Sequence, residues 1–204
     1  TTGPLISSKL DDYTHQGWTP LSGMLYEAAL YYRGEDMFFG NRTSPNTSAA
    51  GSRVGGSGST YESPMEASCQ KNHVILLTDG EPYGDVQANQ KIRDLISGIT
   101  NLPSGLSKTC GGSDDDSPAN GPDNGDCLDE LAYWLQNTDH SDTLSQGQEI
   151  TVHTIGGFNL TNGVALLQNT AAKGGGAYLF KNTSIGLYLY GPCCLCKRIQ
   201  YFRT

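Results

Sequence analysis

Residues 73–82 read HVILLTDGEP, and the reading of this stretch decides the fold. Five residues, His73 to Leu77, have the make-up of a strand built for burial. Thr78, Asp79 and Gly80 then turn the chain abruptly. In an open parallel sheet, ligands gather in the crevice beyond the carboxyl ends of the strands. A carboxylate on such a strand end can ligate a hard cation directly or through water, and Gly80 lets the backbone turn sharply beside it.

Upstream, Thr19 stands at a loop-to-helix junction within GWTPLS. The following segment, Pro20 to Arg33 (PLSGMLYEAALYYR), carries apolar residues at 21, 24, 25, 28 and 29, one face of a helix. Thr19 falls where an N-cap belongs and Pro20 at the first helical position. The Thr19 hydroxyl is the second candidate cation ligand. Mg²⁺ takes near-octahedral oxygen and keeps several waters, so a few hydroxyls and one or two carboxylates suffice.

Pro4 to Tyr13 reads as a short helix, and Val86 to Ile99 as a longer one. Cys127 to Asn137 (CLDELAYWLQN) is a helix with Asp126 as its expected N-cap and Asp129 and Glu130 in the first turn. Ile150 to Ile155 (ITVHTI) is a strand ending at Gly156 and Gly157. Thr161 to Lys173 is a helix closed by Gly174 to Gly176, and Ala177 to Phe180 is a third strand. Polar, flexible loops span about 41–60 and 102–126. Strands alternating with helices imply parallel strands joined by right-handed crossovers, hence a doubly wound α/β sheet.

Composition narrows the partners. The 204 residues have room for one domain with a core, although only 36% are apolar and 26 are Gly. A net charge of -8 argues against a nucleic-acid backbone as partner and leaves a surface suited to cations. No run of about 18 apolar residues occurs. The first residues, TTGPLISSKLDDY, carry neither the basic nor the apolar region of an export signal, which would have to lie upstream.

Cys110 and Cys127 bracket a loop of Gly, Asp, Asn and Pro with little to pack, where a disulfide is useful, and point to an oxidising compartment. Asn41, Asn46, Asn159 and Asn182 begin Asn-x-Ser/Thr sequons. Asp114, Asp115, Asp116, Asp123 and Asp126 are interrupted by Ser117 and Pro118 and fail the spacing of a Ca²⁺ loop. Cys193, Cys194 and Cys196 lack the paired partners of a structural zinc site, and Cys69 has no obvious local partner. His73 and His153 read as strand histidines pointing into the layers.

The order GWTPL, then NHVILLTDGEP, then ITVHTIGGF resembles a von Willebrand factor A domain. More narrowly, YEAALYY, SCQKNHVILLTDGEP, LAYWL and NTAAKGGGAY resemble the N-terminal domain of the PilY (PilC-like) type IV pilus assembly and tip-adhesin family. The resemblance covers about 4–180. It implies a Rossmann-like sheet with helices on both faces and a metal ion-dependent adhesion site. That site uses an early D-x-S-x-S motif, a Thr in the TPL turn and the Asp of TDG.

Thr19 and Asp79 match the last two; nothing ahead of Thr19 matches the first. The three readable strands are fewer than such domains carry, so the expectation is a partial domain over 1–180, lacking its first strands. The tail 181–204, KNTSIGLYLYGPCCLCKRIQYFRT, departs from the family's helical close.

The implied function is divalent-cation-dependent binding, through Mg²⁺, Mn²⁺ or Ca²⁺, of a protein or surface ligand that offers an acidic group. The implied setting is extracytoplasmic: a bacterial cell surface, pilus tip or outer membrane, with pilus components as partners. Two alternatives differ in what they require. A generic secreted A-domain adhesin would lack the β-propeller expected after the pilus-family domain. A metal-assisted hydrolase would need Asp79, His73 and His153 to converge; no other catalytic motif is present.

Overall fold

The computed structural model describes residues 19–40, 49–110, 125–157, 160, 163–182 and 186–190. The helix expected over 4–13, the sequons at Asn41, Asn46 and Asn159, the Asp cluster 114–123 and the cysteines at 193, 194 and 196 lie outside them.

Strand β1 (Asn72–Thr78) pairs in parallel with β2 (Ile150–Gly156), in a register that sets Asn72 against Ile150 and Thr78 against Gly156. β2 pairs in parallel with β3 (Gly175–Asn182), and β3 antiparallel with β4 (Gly186–Tyr190). The sheet order is β1-β2-β3-β4, the order of the chain. Around it stand α1 (Leu21–Arg33), α2 (Val86–Ile96), α3 (Leu128–Asn137) and α4 (Val164–Lys173). The protein is therefore α/β, with a three-stranded parallel sheet at its centre. β3 runs past position 180, and β4 takes in part of the tail.

Parallel strands laid down side by side in chain order, joined by crossovers of one hand, set their helices on one face. Burial follows that rule. On β1 the buried residues are Asn72, Leu76 and Thr78, on β2 Ile150, Val152 and Thr154, and on β3 Tyr178. The alternate residues face away. Ile75 and Leu77 are each 62% exposed, and His73 is exposed too.

This corrects the expectation that residues 73–77 are buried throughout. β1 lies at the sheet edge, and among the described residues only one of its faces is covered. His73 and His153 accordingly lie on the open face, not between layers. The described strands show no reversal of winding.

The core lies between this sheet and the helices, where Leu25, Ile92, Ile96, Leu131, Leu135 and Ile150 are wholly buried. Each such side chain stabilises the fold by about 1.5–3 kcal/mol relative to exposure.

Helix ends differ from the sequence reading in instructive ways. Pro20, not Thr19, occupies the cap position of α1, with no side-chain cap bond. The first-turn amides are met instead by Asp85, whose carboxylate accepts from Ser22 N at 3.1 Å and Gly23 N at 3.0 Å. A carboxylate there also favours the helix dipole. Gly34, at φ 67°, closes α1 in the left-handed conformation, its N–H reaching Leu30 O and Tyr31 O.

α2 stops at Ile96, short of Ile99. The cap position of α3 belongs to Cys127 and not Asp126, because Leu128 N already bonds Gly125 O at 2.9 Å. Within the expected loop 41–60, short 3₁₀ turns form at Ala50–Ser52 and Val54–Gly56. Bridges Asp36–Thr60 and Arg53–Tyr61 tie that part to the body.

Candidate metal centre

Thr78 ends β1 buried, and its hydroxyl folds over the next turn, donating to Gly80 O at 2.8 Å and accepting from Gly80 N at 3.2 Å. Gly157 N bonds Thr78 O at 2.8 Å, so the end of β2 pins the end of β1. Between these anchors Asp79 is exposed at the carboxyl edge of the sheet.

Thr19 is brought to the same turn. Its carbonyl accepts from Tyr83 N at 2.9 Å, and its hydroxyl lies 3.9 Å from where a Cβ on Gly80 would sit. Thr19 therefore lies beside the turn that carries Asp79, although the two segments are sixty positions apart.

A Thr hydroxyl and an Asp carboxylate are both hard oxygen donors, and they suit a small divalent cation that retains several waters. Together they would supply two ligand positions. Among the described residues no group of three or more His, Cys, Asp or Glu stands close enough to form a metal cluster.

The hydrolase arrangement does not assemble. His73 lies near the start of the strand that Asp79 follows, six residues on, a separation of about 20 Å along an extended chain. His153 sits opposite Ile75, in the middle of the sheet.

Beside the turn, a cavity of about 350 Å³ opens between α1 and α2, walled by Pro20, Met24, Phe39, Tyr61 and Ala88. Glu27 on its wall accepts from Phe39 N at 2.8 Å, Gly40 N at 3.1 Å and the Tyr61 hydroxyl at 2.8 Å. These bonds clamp residues 38–40 to α1. Burial, and then the bond to Glu27, push the Tyr61 phenol above its ordinary range.

Several polar residues that matter escaped the sequence reading. Asp85 is 1% exposed, and burial raises its pKa despite the two amides it accepts from. Asp85 also stands at the cap position of α2, and nothing in one sequence marks a cap across sixty residues.

Asp129 and Glu130 stand in the first turn of α3 as expected, and both are buried. Glu130 Oε1 accepts from Ser107 N at 3.1 Å, and apart from each other Asp129 Oδ1 and Glu130 Oε2 have no partner. Desolvation first, then the Asp129 charge and a hydrogen bond that protonated Glu130 donates to it, push Glu130 up to about 9, so the pair shares a proton at neutral pH.

The Cys110–Cys127 disulfide is formed, with Cα atoms 4.9 Å apart, and Cys69 is an exposed free thiol. No helix among the described residues is long and apolar enough to cross a membrane.

Comparison with protein-family profiles, with curated proteins and with solved structures finds no match.

Proposed function

We propose that this chain is part of a von Willebrand A-type binding domain of the type IV pilus tip-adhesin kind. In this reading it recognises an acidic group on a protein or surface through a divalent cation. The observation that carries the reading is the approach of Thr19 to Gly80, in the solvent-facing turn that carries Asp79 beyond the carboxyl end of β1.

Thr19 and Asp79 would hold the ion, which supplies an open coordination position for a partner's carboxylate. The residues of the chain do the rest. Thr78 and Gly157 fix the turn, Gly80 leaves room for the Thr19 hydroxyl, and the Tyr83 amide holds Thr19 in place.

The account is one of binding and not turnover. The setting is extracytoplasmic, in keeping with the Cys110–Cys127 disulfide. Pilus components or a host surface are the partners.

Retention of the chain on a surface coated with an Asp-rich peptide tests it. Binding in Mg²⁺ that is lost in EDTA and lost in Asp79→Ala supports the reading. Retention indifferent to both overturns it.

A further inference from the structure

The two strand histidines, which the proposed function does not use, meet on the open face of the sheet. His73 pairs with Thr151 and His153 with Ile75, so the two are diagonal neighbours across β1 and β2. His73 Nδ1 and His153 Nε2 are 3.2 Å apart, and the rings stack with centroids at 5.4 Å.

The other nitrogen of His153 is also engaged. Between β2 and β3 the register slips: Val152 faces Gly175, but Thr154 faces Tyr178, leaving one extra residue on β3. Such a bulge takes a backbone N–H out of the ladder. Here Ala177 N donates to His153 Nδ1 at 3.1 Å, so the imidazole stands in for the lost ladder acceptor. Gly176 permits the approach, since a Cβ there would run into Val152 O and crowd His153 Nδ1.

This chain of bonds fixes the protons. His153 Nδ1 accepts, so its proton is on Nε2 and is donated to His73 Nδ1. His73 in turn carries its own proton on Nε2. One further proton cannot be added without loss. On His153 Nδ1 it leaves Ala177 N–H facing an N–H; on His73 Nδ1 it sets two N–H groups face to face. If His153 surrenders its Nε2 proton to accommodate the second case, Nδ1 must take one.

We infer that the Ala177–His153–His73 chain is a proton-sensitive latch that pins the β3 bulge at neutral pH and releases it when His153 is protonated.

The surroundings are consistent with this. From β1, His73 faces His153; from β3, the Ala177 amide does; α1 touches His73 through the Tyr32 hydroxyl, which donates to the His73 carbonyl at 2.9 Å. Burial, followed by the charge of His73, lowers the pKa of His153. Two imidazole nitrogens 3.2 Å apart also span adjacent positions on a tetrahedral Zn²⁺. That alternative needs His153 Nε2 bare and Nδ1 protonated against the Ala177 N–H, the opposite of the arrangement here.

The test is nitrogen-resolved NMR of the imidazoles of the full chain from about pH 8 to about pH 5, with amide-exchange protection of Ala177 measured relative to Leu131 in the core. The expected result is two Nε2–H tautomers at high pH. The Ala177-to-Leu131 protection ratio should then fall about tenfold or more as His153 titrates.

His153→Gln, which offers an acceptor that does not titrate, should make the ratio independent of pH. His73→Gln, an exposed change, should move the release to higher pH because the neighbouring charge is gone. An Nδ1–H tautomer at His153, a ratio unmoved by pH, or binding of added Zn²⁺ by both rings at neutral pH would overturn the latch.

Discussion

Replacing Glu130 by Gln should stabilise this protein, although it alters a wholly buried side chain at the start of α3. Glu130 titrates near 4.5 when free and is pushed up to about 9 by burial and by Asp129. Between those values the unfolded chain has released the proton that the folded chain holds. Stability contributed by this site is therefore complete below 4.5 and is lost as pH rises towards 9, at about 1.4 kcal/mol per pH unit.

At pH 7 the accumulated loss is about 3 kcal/mol. A glutamine side chain in place of Glu130 would keep an oxygen for Ser107 N and set a permanent N–H donor beside Asp129. The variant should thus gain about 3 kcal/mol at pH 7, or about 6–12 °C in Tm.

Urea unfolding at several pH values reads this directly. The gain of Glu130→Gln over the native chain should shrink to under about 1 kcal/mol at pH 5 and grow steadily to pH 9. A gain that does not change with pH, or a loss at pH 7, would refute the shared proton and mean that Glu130 is ionised in the fold.

Three further outcomes follow from the same structure. Reducing the Cys110–Cys127 disulfide, which spans 17 positions, should lower stability by about 3 kcal/mol, seen as a fall in Tm on adding a reductant. His140, buried against Trp134 and donating to Leu135 O at 2.9 Å, is lowered to about 4, chiefly by burial. Its site is fully stable above 6.5 and loses about 3 kcal/mol as pH falls to 4, a limb best measured in Glu130→Gln, where the opposing slope is absent. Finally, Ile75→Thr with Leu77→Thr should change the unfolding free energy by less than about 1 kcal/mol, since both side chains are largely exposed; a loss typical of core truncation would show that face to be covered.

The elements were legible in the sequence where period and punctuation agreed. Leu21, Leu25 and Ala29 mark a helix face, and ITVHTIGG announces a strand and its end. TDG marks the turn that ends β1, and Thr19 lies beside it.

What misled was composition without context. HVILL has the make-up of a central strand, and only the sheet order reveals that it stands at an edge with Ile75 and Leu77 outward. Asp126 and Thr19 have capping chemistry, but Cys127 and Pro20 hold those positions, and the distant Asp85 meets the first-turn amides of α1. Asp129 and Glu130 follow the rule for acids at a helix start, yet packing buries them, an outcome that depends on Ser107 and on the neighbouring helices. Long-range polar pairing of this kind has no periodic signature.

The central claim, that Thr19 and Asp79 hold a divalent cation, is tested most directly by calorimetric titration of Mg²⁺, Mn²⁺ and Ca²⁺ into this chain and into Asp79→Ala. The account predicts saturable binding to the first that is absent from the second. Equal heats from both, or none from either, would contradict it.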